Sequence, residues 1–332
     1  MARKAIRDSQ KNKQNEDHIQ KAFHHLSLAC NKDGQMSQAF SLRGQCYNQM
    51  GDFQRALFDF SIAIRIAREK DEDPKTLSEY YNYAGVQHYE LGQLEEALNH
   101  YNLAVNNYQQ DGQYFYNRAL VKSRLDKVEE AIQDYKKAID LLGTSEQDSR
   151  YQAFFNRGIC FRRIGNLERS IDDFKEAIKM RNDKPSAHNN LGLSYFENEE
   201  FEEALIHYGK AIGIEPSSVH YNNRGLAYYH FDKLEEAKQD FDLAIEKDPN
   251  DPTIYFNRGN VFLNWKPEQQ FDLAHQDYDT AISIDPNNAK LWHSKGLAFQ
   301  GKAELVYKRS ERQDLHLIDL AIEMYQKALS IQ

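Results

Sequence analysis

The stretch Ala187 to Pro216 reads AHNNLGLSYF (187–196), ENEE (197–200), FEEALIHYGKAI (201–212) and GIEP (213–216). Small residues (Gly192, Ala204, Ala211) alternate with large ones (Tyr195, Tyr208) at helical spacing on two short segments. A polar turn separates the segments and Pro216 ends the unit. Each segment carries one apolar stripe, too little to bury by itself. The stretch therefore reads as one helix–turn–helix unit of a stack.

The period extends this reading to most of the chain. Counterparts of Gly192 stand at Gly44, Gly85, Ala119, Gly158, Gly225, Gly259 and Gly296, at intervals of 41, 34, 39, 34, 33, 34 and 37 residues. Second helices carry Ala-x3-aromatic-x2-Ala, as in Ala56/Phe60/Ala63, Ala97/Tyr101/Ala104, Ala131/Tyr135/Ala138, Ala237/Phe241/Ala244, Ala274/Tyr278/Ala281 and Ala321/Tyr325/Ala328. Ser170 replaces the first alanine ahead of Phe174 and Ala177. Prolines close units at Pro216, Pro249 and Pro286.

This pattern resembles the tetratricopeptide repeat family, a 34-residue helix-turn-helix, over roughly Gln38 to Gln332. Trp292 alone supplies the family's early tryptophan; aromatics or His188 fill that column elsewhere. The resemblance implies an all-α fold, a right-handed superhelical solenoid of antiparallel helix pairs. Eight repeats are expected, at about 37–70, 78–110, 112–143, 151–184, 185–217, 218–250, 252–286 and 289–332. They are expected to form one continuous solenoid. Residues 16–33, with Ala22, Leu26 and Ala29 at second-helix spacing, read as an N-terminal half-repeat that caps the stack. Residues 1–15 are polar and basic and read as a tail, disordered or ordered on a partner. Extra length falls at Arg65 to Lys75, at Gly143 to Asp148, at Asn264 to Pro267 and within Gly301 to Asp319. Such insertions are expected to be loops available for contacts. The chain stops at Gln332 without a polar capping helix, so its last repeat is expected to present apolar surface.

Composition narrows the function. The 42 basic and 51 acidic residues give a net charge of −9, which argues against nucleic acid as the main partner. No apolar run approaches the length of a membrane span, and no signal-peptide core follows Met1. Cys30, Cys46 and Cys160 lack paired spacing, which points to a reducing compartment. The expected location is cytoplasmic, with a cytoskeletal or ciliary assembly as the alternative. Phosphate-loop, dinucleotide and zinc-protease motifs are absent, so no catalytic residue, metal or cofactor is expected.

Two columns stand out. The residue two before the glycine is Asn117, Asn156, Asn190, Asn223 and Asn257 in five consecutive repeats. Asparagine is a mediocre helix former, so propensity does not explain the recurrence. Either the row holds the backbone of an extended peptide, as the resemblance allows, or each amide bonds a neighbouring repeat or its own backbone. The residue just before the glycine is Arg43, Arg118, Arg157, Arg224 and Arg258. Fifteen residues after the glycine, or the insertion-adjusted equivalent, stand Asp59, Asp134, Asp173, Asp240 and Asp277. Where the arginine is missing (Ala84, Leu191) the acid is missing too, and His100 or His207 replaces it. This covariation between copies predicts an Arg–Asp pair joining the two helices of a repeat.

In repeats three and four, Tyr116 and Phe155 stand three before the small residue, with Arg124, Arg162 and Arg163 about a turn later. They read as a candidate anchor for an acidic or aromatic peptide segment. The family's two-carboxylate clamp is not expected, because Ser41, Gln45, Phe256 and Asn260 leave its positions without the lysine. The expected function is a scaffold or adaptor that binds extended segments of other proteins. The alternatives are a fixed structural component of a large assembly, and a substrate-recruiting domain of a larger enzyme complex.

Overall fold

The computed structural model describes residues 2–265, 270–311 and 313–331, with residues 2–16 described as backbone alone. The described residues are all-α. The chain divides into two compact bodies, Met1–Met180 and Arg181–Gln332.

The first body holds α1 (Ala2–Lys32), α2 (Ser37–Gln49), α3 (Phe53–Glu69), α4 (Pro74–Glu90), α5 (Leu94–Asn107), α6 (Gly112–Arg124), α7 (Val128–Leu141), α8 (Gln147–Arg163) and α9 (Leu167–Met180). The second holds α10 (Pro185–Glu197), α11 (Phe201–Ile214), α12 (Ser218–His230), α13 (Leu234–Lys247), α14 (Pro252–Asn264), α15 (Gln270–Ile284), α16 (Ala289–Ser310) and α17 (Leu315–Ile331). From α2 onward the helices pair as the repeats require, α2 with α3 through α16 with α17. Within each body, first helices of successive repeats also touch.

Local chemistry sets the boundaries. Asp52, Asp73, Asp111, Ser217, Asp251 and Asn288 accept backbone N–H bonds at helix starts. Seven residues after the small residue of each of the first six repeats the backbone turns left-handed, at Gly51, Gly92, Asp126, Gly165, Glu199 and Asp232. Three of these are glycines, which take positive φ without penalty; the other three carry side chains there.

The small-residue column has a packing cause. A Cβ added at Gly192 would lie 2.7 Å from the Tyr208 ring, and one at Gly296 would lie 2.6 Å from that of Tyr325. The ring thus fits only where the facing helix has no side chain. Tyr135, Phe174, Tyr208, Phe241 and Tyr278 are fully buried in this way, together with the alanines flanking them. Each such burial is worth on the order of 2 kcal/mol.

Two expectations change. Helix α1 is continuous from Ala2, so its backbone is helical where the sequence predicts a tail. No glycine or proline interrupts residues 1–33, so nothing breaks the helix before Gly34. Its half-repeat packs on α2, where Phe23 meets Tyr47 edge-on at 5.0 Å. The insertion of repeat eight is not a loop. Most of it extends α16 to Ser310 across 22 residues, and the turn follows at Glu311. Lys266, Pro267 and Arg312, which belong to insertions, lie outside the described residues.

Candidate functional site

The arginine–aspartate column forms a clamp in five repeats. Arg43 forks onto Asp59 at 2.7 and 2.8 Å, Arg118 onto Asp134 at 2.8 and 2.7 Å, and Arg157 onto Asp173 at 2.8 Å twice. Arg224 holds Asp240 at 2.7 Å twice, and Arg258 holds Asp277 at 2.9 and 2.6 Å. The five aspartates are buried. Every arginine also lies over the aromatic ring three residues before it, from Arg43 over Phe40 at 5.4 Å to Arg224 over Tyr221 at 5.9 Å. Burial pushes the Asp173 carboxyl up, against the pull of Arg157, so desolvation outweighs the ion pair there.

The clamp reaches further than the covariation indicated. Arg118 also donates to Asn102 at 3.3 Å and Arg258 to Asp242, each on the second helix of the preceding repeat. Lys295, which stands in the arginine column of repeat eight, bonds Asp279 in the same way. These arginines therefore join three helices. The acceptors recur two residues after the aspartate column, a spacing that could have been read from the sequence.

The asparagine column bonds laterally. Asn117 Nδ2 donates to Asn82 Oδ1 at 2.9 Å, and Asn156 to the Tyr116 hydroxyl at 3.1 Å. Asn223 donates to Asn189, and Asn257 to Asn222, both at 2.9 Å. The acceptor always stands three before the small residue of the preceding repeat. Asn190 bonds Ser186 O of its own helix at 2.9 Å. Of the two readings left open, neighbour and own-backbone bonding describes the geometry. Asparagine has two N–H donors and a carbonyl, and each lateral bond uses one donor. Asn156 and Asn223 remain partly exposed.

Tyr116 is thus tied into the row through its hydroxyl, and its ring tilts against Tyr135 at 5.8 Å. Phe155 stacks on Tyr151 at 5.8 Å and meets Phe174 edge-on at 5.6 Å. Arg124 lies exposed over the Tyr89 ring at 4.8 Å. Arg163 bonds Asp126 at 2.7 Å and the Ser123 carbonyl at 2.9 Å, and Arg162 is partly buried on α8. Beneath them the Tyr135 hydroxyl is buried and has no hydrogen-bond partner among the described residues.

Repeats two and five carry histidine pairs in place of the clamp. His88 stacks on His100 with centroids 4.9 Å apart, and His188 Nδ1 lies 3.2 Å from His207 Nδ1. No group of three or more metal-ligating side chains is placed to hold an ion among the described residues. The three cysteines are buried free thiols, and no described helix is long and apolar enough to cross a membrane.

Family models for the tetratricopeptide repeat match residues 35–110, 112–141, 185–218 and 221–251, and a TPR repeat model matches 160–199. Together they cover more than half of the chain. Similar solved structures include the C-terminal part of a TPR repeat-containing protein from Cytophaga hutchinsonii. It is 18% identical, with 76% of this chain and 98% of that chain covered and a TM-score of 0.61. A tetratricopeptide repeat protein from Parabacteroides merdae is 19% identical over 79% of this chain and 98% of its own, with a TM-score of 0.56. A chain of the APC/C hetero-tetramer Cut9–Hcn1 is 14% identical over 84% of this chain and 52% of its own, at 0.54. At these identities the likeness concerns the fold. No curated protein matches the chain.

Proposed function

The chain belongs to the tetratricopeptide repeat family, and on that footing we propose that it is a protein-interaction scaffold whose first-helix face receives an extended segment of another protein. The lateral amide row carries this reading. Bonds between successive first helices fix the orientation of Asn117, Asn156, Asn223 and Asn257 before any ligand arrives, so little side-chain entropy is lost on binding. The second N–H and the carbonyl of an amide match the donor–acceptor alternation of an extended backbone. Tyr116, Phe155, Arg124, Arg162 and Arg163 would give the row side-chain selectivity in repeats three and four. Buried free thiols favour a reducing compartment such as the cytoplasm, and the acidic net charge disfavours nucleic acid.

The test is an affinity measurement. An unstructured peptide selected on the chain from a display library is titrated calorimetrically into the wild type and into the Asn117→Ala/Asn156→Ala double variant, both amides lying in the first body. Losing two hydrogen bonds at about 1 kcal/mol each weakens binding roughly 30-fold. Unchanged affinity in a variant with native circular dichroism sinks the proposal.

A second reading, a fixed component of a larger assembly, is favoured by α17. Its Leu315, Ile322 and Leu329 stand at heptad spacing and are 65%, 47% and 70% exposed. The matching columns of repeat three, Ile132 and Ile139, are buried. Under this reading, serine at the three α17 positions abolishes association while the asparagine variant leaves it intact.

A further inference from the structure

Two repeats depart from the clamp in the same way. In repeat two, Ala84 and His100 stand where the others have Arg and Asp; in repeat five, Leu191 and His207 do. Each substituting histidine faces a second one from the first helix of its own repeat. His100 of α5 stacks on His88 of α4 with rings 21° apart and is flanked by Tyr81. Its Nδ1 is buried without a hydrogen-bond partner among the described residues, while His88 Nδ1 meets Gln93 Oε1 at 2.7 Å. His207 of α11 stacks on His188 of α10 and on Tyr195.

An Nδ1–Nδ1 contact requires that one ring be the neutral acceptor, and two stacked imidazoles cannot both be protonated without repulsion at a few ångströms. Among the described residues no anion acts on His100 or on His188. Lys210 of α11 acts on His188, and the Asn182 backbone bonds it. Helix α12 brings Arg224 beside Gly209, but that guanidinium is held by Asp240. At the other pair α6 brings Arg118, committed to Asp134 and Asn102. Lys210, and the lack of a third ligating side chain among the described residues, also weigh against a bound cation.

We propose that repeats two and five are acid-sensitive elements of the array: neutral histidine pairs close α4 on α5 and α10 on α11, and protonation in mild acid loosens these helix pairs while the clamped repeats three, four and six stay closed. The direction follows from linkage. Burial, with His88 adding, lowers His100 from 6.5 to about 4 in the closed state, and burial followed by Lys210 lowers His188. A depressed histidine contributes stability that is present above 6.5 and is lost as pH falls from there toward the closed-state value. For His100 alone the local opening constant rises about 20-fold between pH 7 and pH 5.

Hydrogen exchange read by mass spectrometry on the full chain tests this, with rates corrected for the intrinsic pH dependence. Exchange in α4–α5 should accelerate about 20-fold between pH 7 and pH 5, and exchange in α10–α11 should accelerate in the same direction. Exchange in α8–α9 and α12–α13 should change by less than threefold. The His100→Phe/His188→Phe variant, which keeps the rings and removes the charge, should abolish the acceleration. A ring-proton titration of His100 by NMR gives a second readout that does not depend on the variant folding, and should place it well below 6.5. Uniform acceleration along the chain, acceleration that survives the phenylalanines, or a His100 titration at or above 6.5 each overturns the proposal.

Discussion

Replacing Asp173 by alanine separates two accounts of the clamp. The carboxylate is 4% exposed and takes both bonds from Arg157, which is itself confined between α8 and α9 above Phe154 and Phe161. Its removal strands a guanidinium in a largely desolvated site. Breaking a buried pair from one side costs about 3–5 kcal/mol, whereas an exposed pair is worth about 0–1 kcal/mol. The Arg157 side chain is 15% exposed, so some water reaches it and the lower half of the first range applies, about 3–4 kcal/mol. The entropy of unfolding is about 2 cal/mol/K per residue. If Met1–Met180 unfolds as a unit, the midpoint falls by roughly 8–11 °C. A second variant, Arg157→Met/Asp173→Leu, replaces the pair with apolar groups of similar size. Because burial raises Asp173 even beside Arg157, the pair contributes little net energy, and this variant should return to within about 1 kcal/mol of wild type. Urea unfolding followed by far-UV circular dichroism reads both. An Asp173→Ala cost below about 0.5 kcal/mol would refute the burial argument. A double variant as unstable as the single one would refute the claim that the pair contributes little net energy.

Other positions yield further expectations. Gly192→Ala drives a methyl group into the Tyr208 ring and should destabilise by about 1–3 kcal/mol in chemical denaturation, while Gly143→Ala, with its nearest atom at 3.5 Å, should be near neutral. Glu199→Gly relieves a positive φ and should raise the melting temperature, with a gain of up to about 1 kcal/mol. His275 is buried against Phe299 at 3.8 Å, with neither ring nitrogen hydrogen-bonded among the described residues. Burial, then Lys295 and Lys302, lowers it to about 4, so its contribution is present above 6.5 and is lost as pH falls toward 4. His275→Phe should therefore leave stability at pH 7.5 unchanged or raised by about 1–2 kcal/mol, and flatten its decline between pH 6.5 and 4.5, as measured by thermal melts across that range.

Most of the fold was legible because a repeat states its own rules several times. The glycine column, the Ala-x3-aromatic-x2-Ala spacing and the Arg–Asp covariation need only comparison of the chain with itself. They correspond to one steric fit, as at Gly192 and Tyr208, and one bidentate bond, as at Arg157 and Asp173. The candidate site was less legible. Asn117 and Asn156 stand out by type, but type does not say whether an amide meets a ligand or Asn82 and Tyr116. The insertion after Gly301 shows the same limit, because length alone does not separate a loop from two further turns of α16.

By itself the sequence determined the helix pairs, their register and the columns that bury, since periodicity and side-chain size act locally and recur. The tertiary structure alone decided where each polar group spends its bonds. Arg118 reaching Asn102, Asn223 reaching Asn189 and His188 reaching His207 all depend on how adjacent helices are aligned, and a hydrogen bond is made or lost within a few tenths of an ångström.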